Sequence, residues 1–152
     1  MNILITGATG FVGSHILQML LKDGHAVCAT IRSTSRTSHI EALLNQCVVC
    51  NLDKISIDQI YRQNDIDCTI HCATYYGRSD TEYLKNVESN ILFPLELLTI
   101  GIDNGVKYFV NTDSFFTKQL RENNTCSQMI YMYGYTLSKA QFVQWGRMLA
   151  QS

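Results

Sequence analysis

Three tyrosines and a lysine are crowded into the segment "YMYGYTLSK", residues 131–139. A phenol can donate a proton, but its ordinary pKa of about 10 makes it a poor acid–base group at neutral pH unless a nearby cation lowers that value. Residues three or four apart share a helix face, so Lys139 can accompany Tyr135 and cannot accompany Tyr131 or Tyr133. We therefore predict that Tyr135 is a proton donor whose pKa Lys139 lowers. An amphipathic surface helix is the alternative for this spacing taken alone.

A glycine-rich segment near the amino terminus could hold phosphate groups. Gly7, Gly10 and Gly13 form GxxGxxG between "NILIT", an apolar run that predicts a strand, and "SHILQMLLKDG", whose apolar spacing predicts a helix. In this context the glycines allow a tight turn and let the backbone approach a pyrophosphate at the start of the helix. We predict a dinucleotide-binding turn, with a tight turn that holds no ligand as the alternative.

The segment "TIRSTSR", at the end of the second predicted strand, should choose between the two nicotinamide dinucleotides. An acid at this place accepts a hydrogen bond from the ribose 2′-hydroxyl group, whereas an arginine pairs with a 2′-phosphate. The sequence has no carboxylate between Asp23 and Glu41, while Arg32, Arg36 and Ser33 supply donors suited to phosphate. We therefore predict NADP(H), held by Arg32, in preference to NAD(H), with ordinary solvated arginines in a loop as the alternative.

The elements that must position these residues alternate along the chain. Further strands are predicted at "HAVCATI", "CVVC", "DCTIHCA" and "VKYFVNT", with helices between them. The helices include one at "SHIEALLNQ", a long one from about Asp80 to Asn104 that Pro94 kinks or breaks, and a last one from about Tyr131 to Ala150. This order predicts an α/β fold with a doubly wound parallel sheet of Rossmann type, in one domain over residues 1–152. Five strands are one fewer than in the standard dinucleotide-binding sheet.

The composition narrows the class of partner. A net charge of −1 on 152 residues gives no electrostatic reason to expect nucleic acid or an anionic membrane, so a small molecule is the more natural partner. The start "MNILITGATG" lacks a signal-peptide pattern and no segment is apolar enough to cross a bilayer, so we expect a cytoplasmic protein with reduced cysteines. Cys47 and Cys50 form a lone CxxC, and the four histidines match no metal or triad spacing, so no metal site is predicted.

The combination of GxxGxxG with YxxxK resembles the short-chain dehydrogenase/reductase superfamily, over nearly the whole chain. In particular it is similar to the extended branch, the NAD-dependent epimerase/dehydratase family. "TGATGFVGSHI" resembles the family's cofactor turn, "NLD" its acid–Leu pair near the adenine, "HCA" the segment passing the cofactor, and "NILFPLELL" its Asn-led helix. Asn51 stands where the family usually has aspartate. The cofactor contacts that the resemblance implies, together with the arginine named above, are Gly7, Thr9, Gly10, Phe11, Val12, Gly13, Arg32, Asn51, Leu52, Ala73, Tyr135 and Lys139.

The segment "VNTDSFF" resembles the family's Ser/Thr catalytic segment. Aligning Phe115 and Phe116 with the family's Val-Tyr pair places Thr112 at the catalytic hydroxyl position, with Ser114 as the second choice. The resemblance implies a catalytic set of Thr112, Tyr135 and Lys139, in which the lysine also holds the nicotinamide ribose. It further implies a homodimer through the long middle helix and the last helix, and a substrate-binding portion located mainly after residue 152.

The segments "NTDSFF" and "YMYGYTLSKAQFVQWG" together are most similar to the family's reductases that make CDP-linked dideoxyhexoses. The expected activity is NADP-dependent reduction of a nucleotide-diphosphate 4-keto-6-deoxyhexose, of the kind used in lipopolysaccharide biosynthesis. Two alternatives stay open. One is a nucleotide-sugar epimerase or dehydratase that uses NAD, and the other is an NADP-binding module without turnover.

Overall fold

Strands and helices alternate through the part of the chain that the computed structural model describes, which is residues 1–77, 82–117 and 130–150. The strands are β1 (Asn2–Thr6), β2 (Ala26–Ile31), β3 (Val48–Asn51), β4 (Cys68–His71) and β5 (Tyr108–Asn111). The helices are α1 (Phe11–Lys22), α2 (Glu41–Leu44), α3 (Ile57–Asn64), α4 (Tyr83–Val87), α5 (Phe93–Asp103) and α6 (Ile130–Leu149). A 3-10 turn over Ser38–Ile40 precedes α2, and a π-helical turn over Glu88–Leu92 joins α4 to α5.

The chain divides into two units. The first, here called the sheet unit, comprises Met1–Ala73 and Ile100–Thr112 and contains β1 to β5. The second, here called the helical unit, comprises Thr74–Thr99 and Asp113–Ser152 and contains α4 and α6. That residues 1–152 fold as one domain stays a prediction.

The five strands form one sheet in the order β3-β2-β1-β4-β5, and every neighbouring pair is parallel. The predicted doubly wound parallel sheet is therefore confirmed. The order reverses between β1 and β4, which are neighbours in the sheet although two strands separate them along the chain. In open sheets of this kind, ligands bind beyond the carboxyl ends of the strands at this switch point.

Helices cover both faces of the sheet. Because side chains alternate along a strand, Ile5 and Ala29 share one face, where they form a buried cluster with Leu17 of α1. Burying a side chain of that size contributes roughly 1.5–3 kcal/mol. On the opposite face, the hydroxyl group of Tyr61, from α3, lies 2.8 Å from the Thr69 hydroxyl group.

Two predicted elements differ from those observed. The helix predicted at "SHIEALLNQ" consists of a 3-10 turn and the one-turn helix α2. The strand predicted at "CVVC" exists, but β3 is an edge strand on which Cys50 is buried while Val48 and Val49 are exposed. The sulfur atoms of Cys50 and Cys28 lie 3.1 Å apart, and both residues are free thiols.

The long middle helix changes its hydrogen-bond pattern next to Pro94. The helix is observed over Tyr83–Val87, Glu88–Leu92 and Phe93–Asp103, while the predicted start at Asp80 lies outside the described residues. Pro94 has no N–H group to donate to the carbonyl four residues earlier, and the turn before it is π-helical. Within the described residues, no helix combines the length and the hydropathy that a membrane span requires.

Candidate active site

The glycine-rich turn between β1 and α1 is closed so tightly that side chains are excluded from it. Gly7 has a φ of +72°, and a Cβ atom there would lie 2.5 Å from the backbone nitrogen of Ala73. A Cβ atom on Gly13 would lie 2.1 Å from the Gly7 carbonyl oxygen. The Gly10 N–H group donates to that same oxygen at 2.9 Å. The turn therefore requires glycine at Gly7 and Gly13, and Ala73 lies against Gly7, while the cofactor contacts of these residues stay a prediction.

The start of α1 offers donors to an anion. Gly10 is the N-cap residue and makes no side-chain cap, and no acidic residue lies in the first turn. The unpaired N–H groups and the positive end of the helix dipole therefore favour a negatively charged group. Phe11 and Val12 are exposed beside this turn, and Thr9 is half-buried within it. These residues fit the pyrophosphate of a dinucleotide.

A polar chain crosses the carboxyl ends of β1 and β4. The Thr6 hydroxyl group lies 2.7 Å from Nδ1 of His71, and both residues are buried. The same hydroxyl oxygen accepts from the N–H group of Ala73 at 3.4 Å, and the Thr6 carbonyl accepts from Cys72 at 3.0 Å. These bonds fix the backbone of "HCA" against β1.

A carboxylate from the turn after β3 reaches the loop after β2. Arg32 and Ser33 follow β2, as predicted, and both are exposed. Asp53, from the turn after β3, accepts a hydrogen bond from the Ser33 N–H group through Oδ2 at 2.7 Å. This bond, with a smaller contribution from Arg32, holds the pKa of Asp53 below its ordinary value. Asp53 lies outside the interval from Asp23 to Glu41, because it follows the neighbouring strand β3 and not β2.

Asn51 and Leu52, the predicted adenine contacts, connect the ends of β2 and β3. The Leu52 N–H group donates to the Ile31 carbonyl at 2.9 Å, which extends the pairing of the two strands. The Asn51 amide donates to the Ser33 hydroxyl oxygen at 3.1 Å and accepts from the Asp53 N–H group at 2.9 Å. Asn51 therefore ties together the two loops that would surround an adenosine.

Tyr135, in the helical unit, is buried, and its side chain is hydrogen-bonded to Ser114. Its ring lies 4.9 Å from the ring of Tyr76, centroid to centroid. Burial, the largest cause, raises the pKa of Tyr135, the bond with Ser114 lowers it, and the charges of Tyr76 and Asp113 raise it. The net shift is upward, so the phenol keeps its proton at neutral pH.

Lys139 lies one helical turn after Tyr135 in α6, and it is buried. The spacing puts both side chains on one face of the helix, as the sequence predicted. The pKa of Tyr135 is raised, with burial as the largest cause, and the effect of Lys139 on that pKa stays a prediction. A buried phenol is harder to ionise than an exposed one.

The two candidates for the catalytic hydroxyl group make different contacts. Thr112, in the sheet unit, donates its hydroxyl group to the His71 carbonyl at 3.1 Å. Ser114 is bonded to Tyr135, and its own N–H group donates to Asp113 at 2.7 Å. Thr117 is buried and donates to the Ser114 carbonyl at 2.7 Å. Ser114, the second choice for the catalytic hydroxyl group, thus contacts Tyr135 within the helical unit, while Thr112 belongs to the sheet unit.

Asn90 was quoted in the sequence analysis only as part of "NILFPLELL", yet it organises the helical unit. Its Oδ1 accepts from the N–H group of Tyr75 at 2.8 Å, and its Nδ2 donates to the Tyr75 carbonyl at 2.8 Å and to Ser138 at 3.1 Å. Asn90 is buried and lies in the π-helical turn. A buried amide with all of its groups bonded is a strong constraint on local structure. In the part of the chain that the structure describes, no cluster of three or more His, Cys, Asp or Glu residues suits a metal ion.

Comparisons with known proteins agree with this geometry. The model of the NAD dependent epimerase/dehydratase family matches residues 3–152. The CDP-abequose synthase of Salmonella muenchen is 34% identical over 143 residues, which are 94% of this chain and 45% of that protein. The CDP-abequose synthase of Salmonella typhimurium is 31% identical over 118 residues, which are 77% of this chain and 39% of that protein. The chain thus spans less than half the length of these relatives.

Among solved structures, a UDP-glucose-4-epimerase from Stenotrophomonas maltophila with bound NAD and formylated UDP-arabinopyranose matches with a TM-score of 0.80. It is 25% identical, and the match covers 99% of this chain and 49% of that one. The UDP-Glc/GlcNAc 4-epimerase from Campylobacter jejuni matches with a TM-score of 0.82 at 22% identity, covering 99% of this chain and 49% of that one. The second likeness shows the fold alone.

Proposed function

Because the chain belongs to the NAD dependent epimerase/dehydratase family, we propose that it carries the dinucleotide site and the proton donor of a nucleotide-sugar reductase. The proposed reaction is the NADP-dependent reduction of a nucleotide-diphosphate 4-keto-6-deoxyhexose. The likeness to the CDP-abequose synthases of two Salmonella strains supports this substrate class.

The observation that carries the proposal is the hydroxyl pair formed by Tyr135 and Ser114. Reduction of a ketone needs a hydride at carbon and a proton at oxygen. NADPH would supply the hydride and leave as NADP⁺, and the phenol of Tyr135 would supply the proton. The raised pKa keeps the phenol of Tyr135 protonated at neutral pH, and a nearby cation is still needed to favour transfer of that proton.

Each neighbour of Tyr135 has a proposed task. Ser114, already bonded to the phenol, would hydrogen-bond the substrate carbonyl, the task that the sequence analysis gave first to Thr112. Lys139 would hold the nicotinamide ribose and would favour transfer of the phenolic proton, because a cation stabilises the phenolate that remains. Thr112 would hold the backbone of β4 and β5 together through the His71 carbonyl.

The sheet unit would bind the dinucleotide. Arg32 would pair with a 2′-phosphate, and Asn51 and Leu52 would line the adenine. The pyrophosphate would lie against the glycine turn and against the backbone of Ala73, which contacts that turn. The residues proposed for that contact are Gly7, Thr9, Gly10, Phe11, Val12, Gly13 and Ala73.

A second candidate function is a nucleotide-sugar epimerase or dehydratase that uses NAD. The observation that favours it is the carboxylate of Asp53 beside Ser33, since an acid at the end of β2 suits the free 2′-hydroxyl group of NAD. Both functions would use the same tyrosine and lysine. They differ in whether the dinucleotide is consumed or regenerated in each turnover.

We also propose a homodimer formed through the middle helix and α6. Leu84 and Leu92, on the middle helix, are each more than half exposed. Met148, on α6, is also more than half exposed. Exposed apolar groups on neighbouring helices are typical of association surfaces. A second copy of this chain would cover them.

The test of the proposed reaction is turnover by the chain itself. Incubated with NADPH and a CDP-4-keto-6-deoxyhexose, the chain should oxidise NADPH, followed by nicotinamide absorbance. Tyr135→Phe should abolish this turnover, and Ser114→Ala should lower it by about 10²-fold, the size reported for loss of one donor to a developing oxyanion. Thr112→Ala, which removes a hydroxyl group two residues away, is the matched control and should retain most activity.

Two outcomes would contradict the proposal. Binding of NADPH without any oxidation would favour the module without turnover. Interconversion of nucleotide sugars with no net change in nicotinamide absorbance would favour the epimerase.

A further inference from the structure

We propose that Asp53 is a determinant of dinucleotide choice, acting against Arg32 at the 2′-position of the adenosine ribose. This inference rests on the dinucleotide site of the proposed function and concerns a residue to which the sequence assigned no role. In folds of this type, the residue that selects between a 2′-hydroxyl group and a 2′-phosphate lies at the end of β2. Here the chain after β2 supplies a cation, and the chain after β3 supplies an anion to the same loop.

The position of Asp53 follows from the pairing of the two strands. Ile31 and Asn51 are partners at the ends of β2 and β3, so the two loops begin side by side. The N–H group of Asp53 donates to the Asn51 side chain at 2.9 Å, and its carboxylate accepts from the Ser33 N–H group at 2.7 Å. Asp53 is therefore fixed at both its backbone and its side chain.

The Asp53 carboxylate carries its charge at neutral pH. It is exposed to water, and the hydrogen bond from Ser33 holds its pKa below the ordinary value. The charge of Arg32 contributes to the low pKa of Asp53 in the same direction. The end of β2 therefore presents one positive and one negative charge.

The two charges have opposite effects on the two dinucleotides. A ribose 2′-hydroxyl group can donate to a carboxylate, whereas a 2′-phosphate is repelled by it and attracted by Arg32. Asp53 also accepts the hydrogen bond of the Ser33 N–H group, which would otherwise be free to donate to a phosphate oxygen. The chain should therefore bind both NADPH and NADH. Arg32 should favour NADPH and Asp53 should favour NADH, so the two residues together determine the ratio of the affinities.

The experiment measures the dissociation constants of NADPH and NADH for the unmutated chain and two variants, by nicotinamide fluorescence at low ionic strength. Asp53→Asn keeps a side-chain oxygen that can accept from Ser33, so it removes the charge and preserves the loop. It should raise the preference for NADPH by about tenfold, the size expected for one charge near a doubly charged phosphate. Arg32→Ala should shift the ratio toward NADH by a similar factor.

A matched control and the salt dependence separate a charge effect from a structural one. Asp58→Asn makes the same change of net charge at a carboxylate that pairs with Arg62 on α3, and it should leave the ratio unchanged. The effect of Asp53→Asn should shrink as salt rises, because exposed charges are screened. If Asp53→Asn leaves the ratio of the NADPH and NADH affinities unchanged, or if salt does not reduce its effect on that ratio, the inference about Asp53 is wrong. Either result would leave the proposed function intact. Binding of neither dinucleotide would overturn the proposed function and the inference with it.

Discussion

The side-chain amide of Asn90 donates a hydrogen bond to the hydroxyl group of Ser138, with Nδ2 and Oγ 3.1 Å apart. Ser138 in turn donates to the carbonyl of Tyr135 at 2.8 Å. Asn90 also holds the backbone of Tyr75 through two bonds of 2.8 Å. The helix that carries the proposed proton donor and the loop that carries Tyr76 are thus fixed to one side chain of the π-helical turn.

Replacing this amide should destabilise the protein strongly. Asn90→Ala leaves the N–H and carbonyl groups of Tyr75 without their side-chain partner, and it should lower the free energy of unfolding by about 2–4 kcal/mol. Asn104→Ala is the matched control, because Asn104 is half-buried and its amide donates to a single carbonyl, that of Ile100. It should cost about 1 kcal/mol or less. Equal costs in urea unfolding would contradict the role given to Asn90.

A comparison of two glycines tests the tight closure of the phosphate-binding turn. Gly7 and Gly24 both have positive φ, at +72° and +76°, but of these two glycines only Gly7 has atoms where a Cβ would lie. Gly24→Ala should cost about 1 kcal/mol, from backbone conformation alone. Gly7→Ala should cost more in urea unfolding, because the methyl group meets the backbone of Ala73, and it should weaken dinucleotide binding. Equal costs for the two variants would show that the turn can open.

The alkaline stability of the sheet unit should depend on Tyr61. Burial raises the pKa of this phenol from its ordinary value of 10 to about 12. The stabilisation that the buried, protonated phenol contributes is fully present below pH 10, where the phenol of the unfolded chain is still protonated. It is lost as the pH rises toward 12. Thermal unfolding measured across that range should show that the free energy of unfolding falls by about 2 kcal/mol. The fall should be smaller in Tyr61→Phe. Tyr108→Phe, at an exposed ring, should leave the loss unchanged.

The fold could be predicted because its signals are local. The apolar run of β1, the glycines and the helical spacing of α1 each lie within a few residues, and alternation of strands and helices then requires parallel pairing. Burial was harder to predict. The strand at "CVVC" is predicted by its apolar residues, but β3 is at the sheet edge, and exposure of Val48 and Val49 depends on which strands are neighbours.

The site was predicted less completely, because its contacts join distant segments. Lys139 could be assigned to Tyr135 since helical spacing is a local rule. The bond between Asp53 and Ser33 joins residues 20 apart, and only the register of β2 with β3 brings them together. The contact of Ser114 with Tyr135 likewise depends on how the helical unit folds. The resemblance to the family's catalytic segment implied Thr112 as the first choice.

The proposed homodimer makes a prediction about one exposed leucine. Leu84, on α4, is 77% exposed, so a second copy of the chain would bury a large apolar group there. Analytical ultracentrifugation should find a dimer, and Leu84→Glu should shift it toward monomer because a buried charge is costly. Met19→Glu introduces the same charge at a 64% exposed residue on α1 and should leave the dimer intact. A monomeric unmutated chain, or equal effects of the two variants, would contradict this surface.

The titration of Tyr135 separates the two candidates for the catalytic hydroxyl group. Its pKa lies above the ordinary value because it is buried, and the hydrogen bond with Ser114 opposes that shift. Ser114→Ala should therefore raise the pKa further. Thr112→Ala should leave the pKa unchanged, since that hydroxyl group donates to the His71 carbonyl. Carbon-labelled tyrosine NMR across alkaline pH measures the phenol directly. A pKa that moves with Thr112→Ala and stays constant with Ser114→Ala would return the catalytic assignment to Thr112.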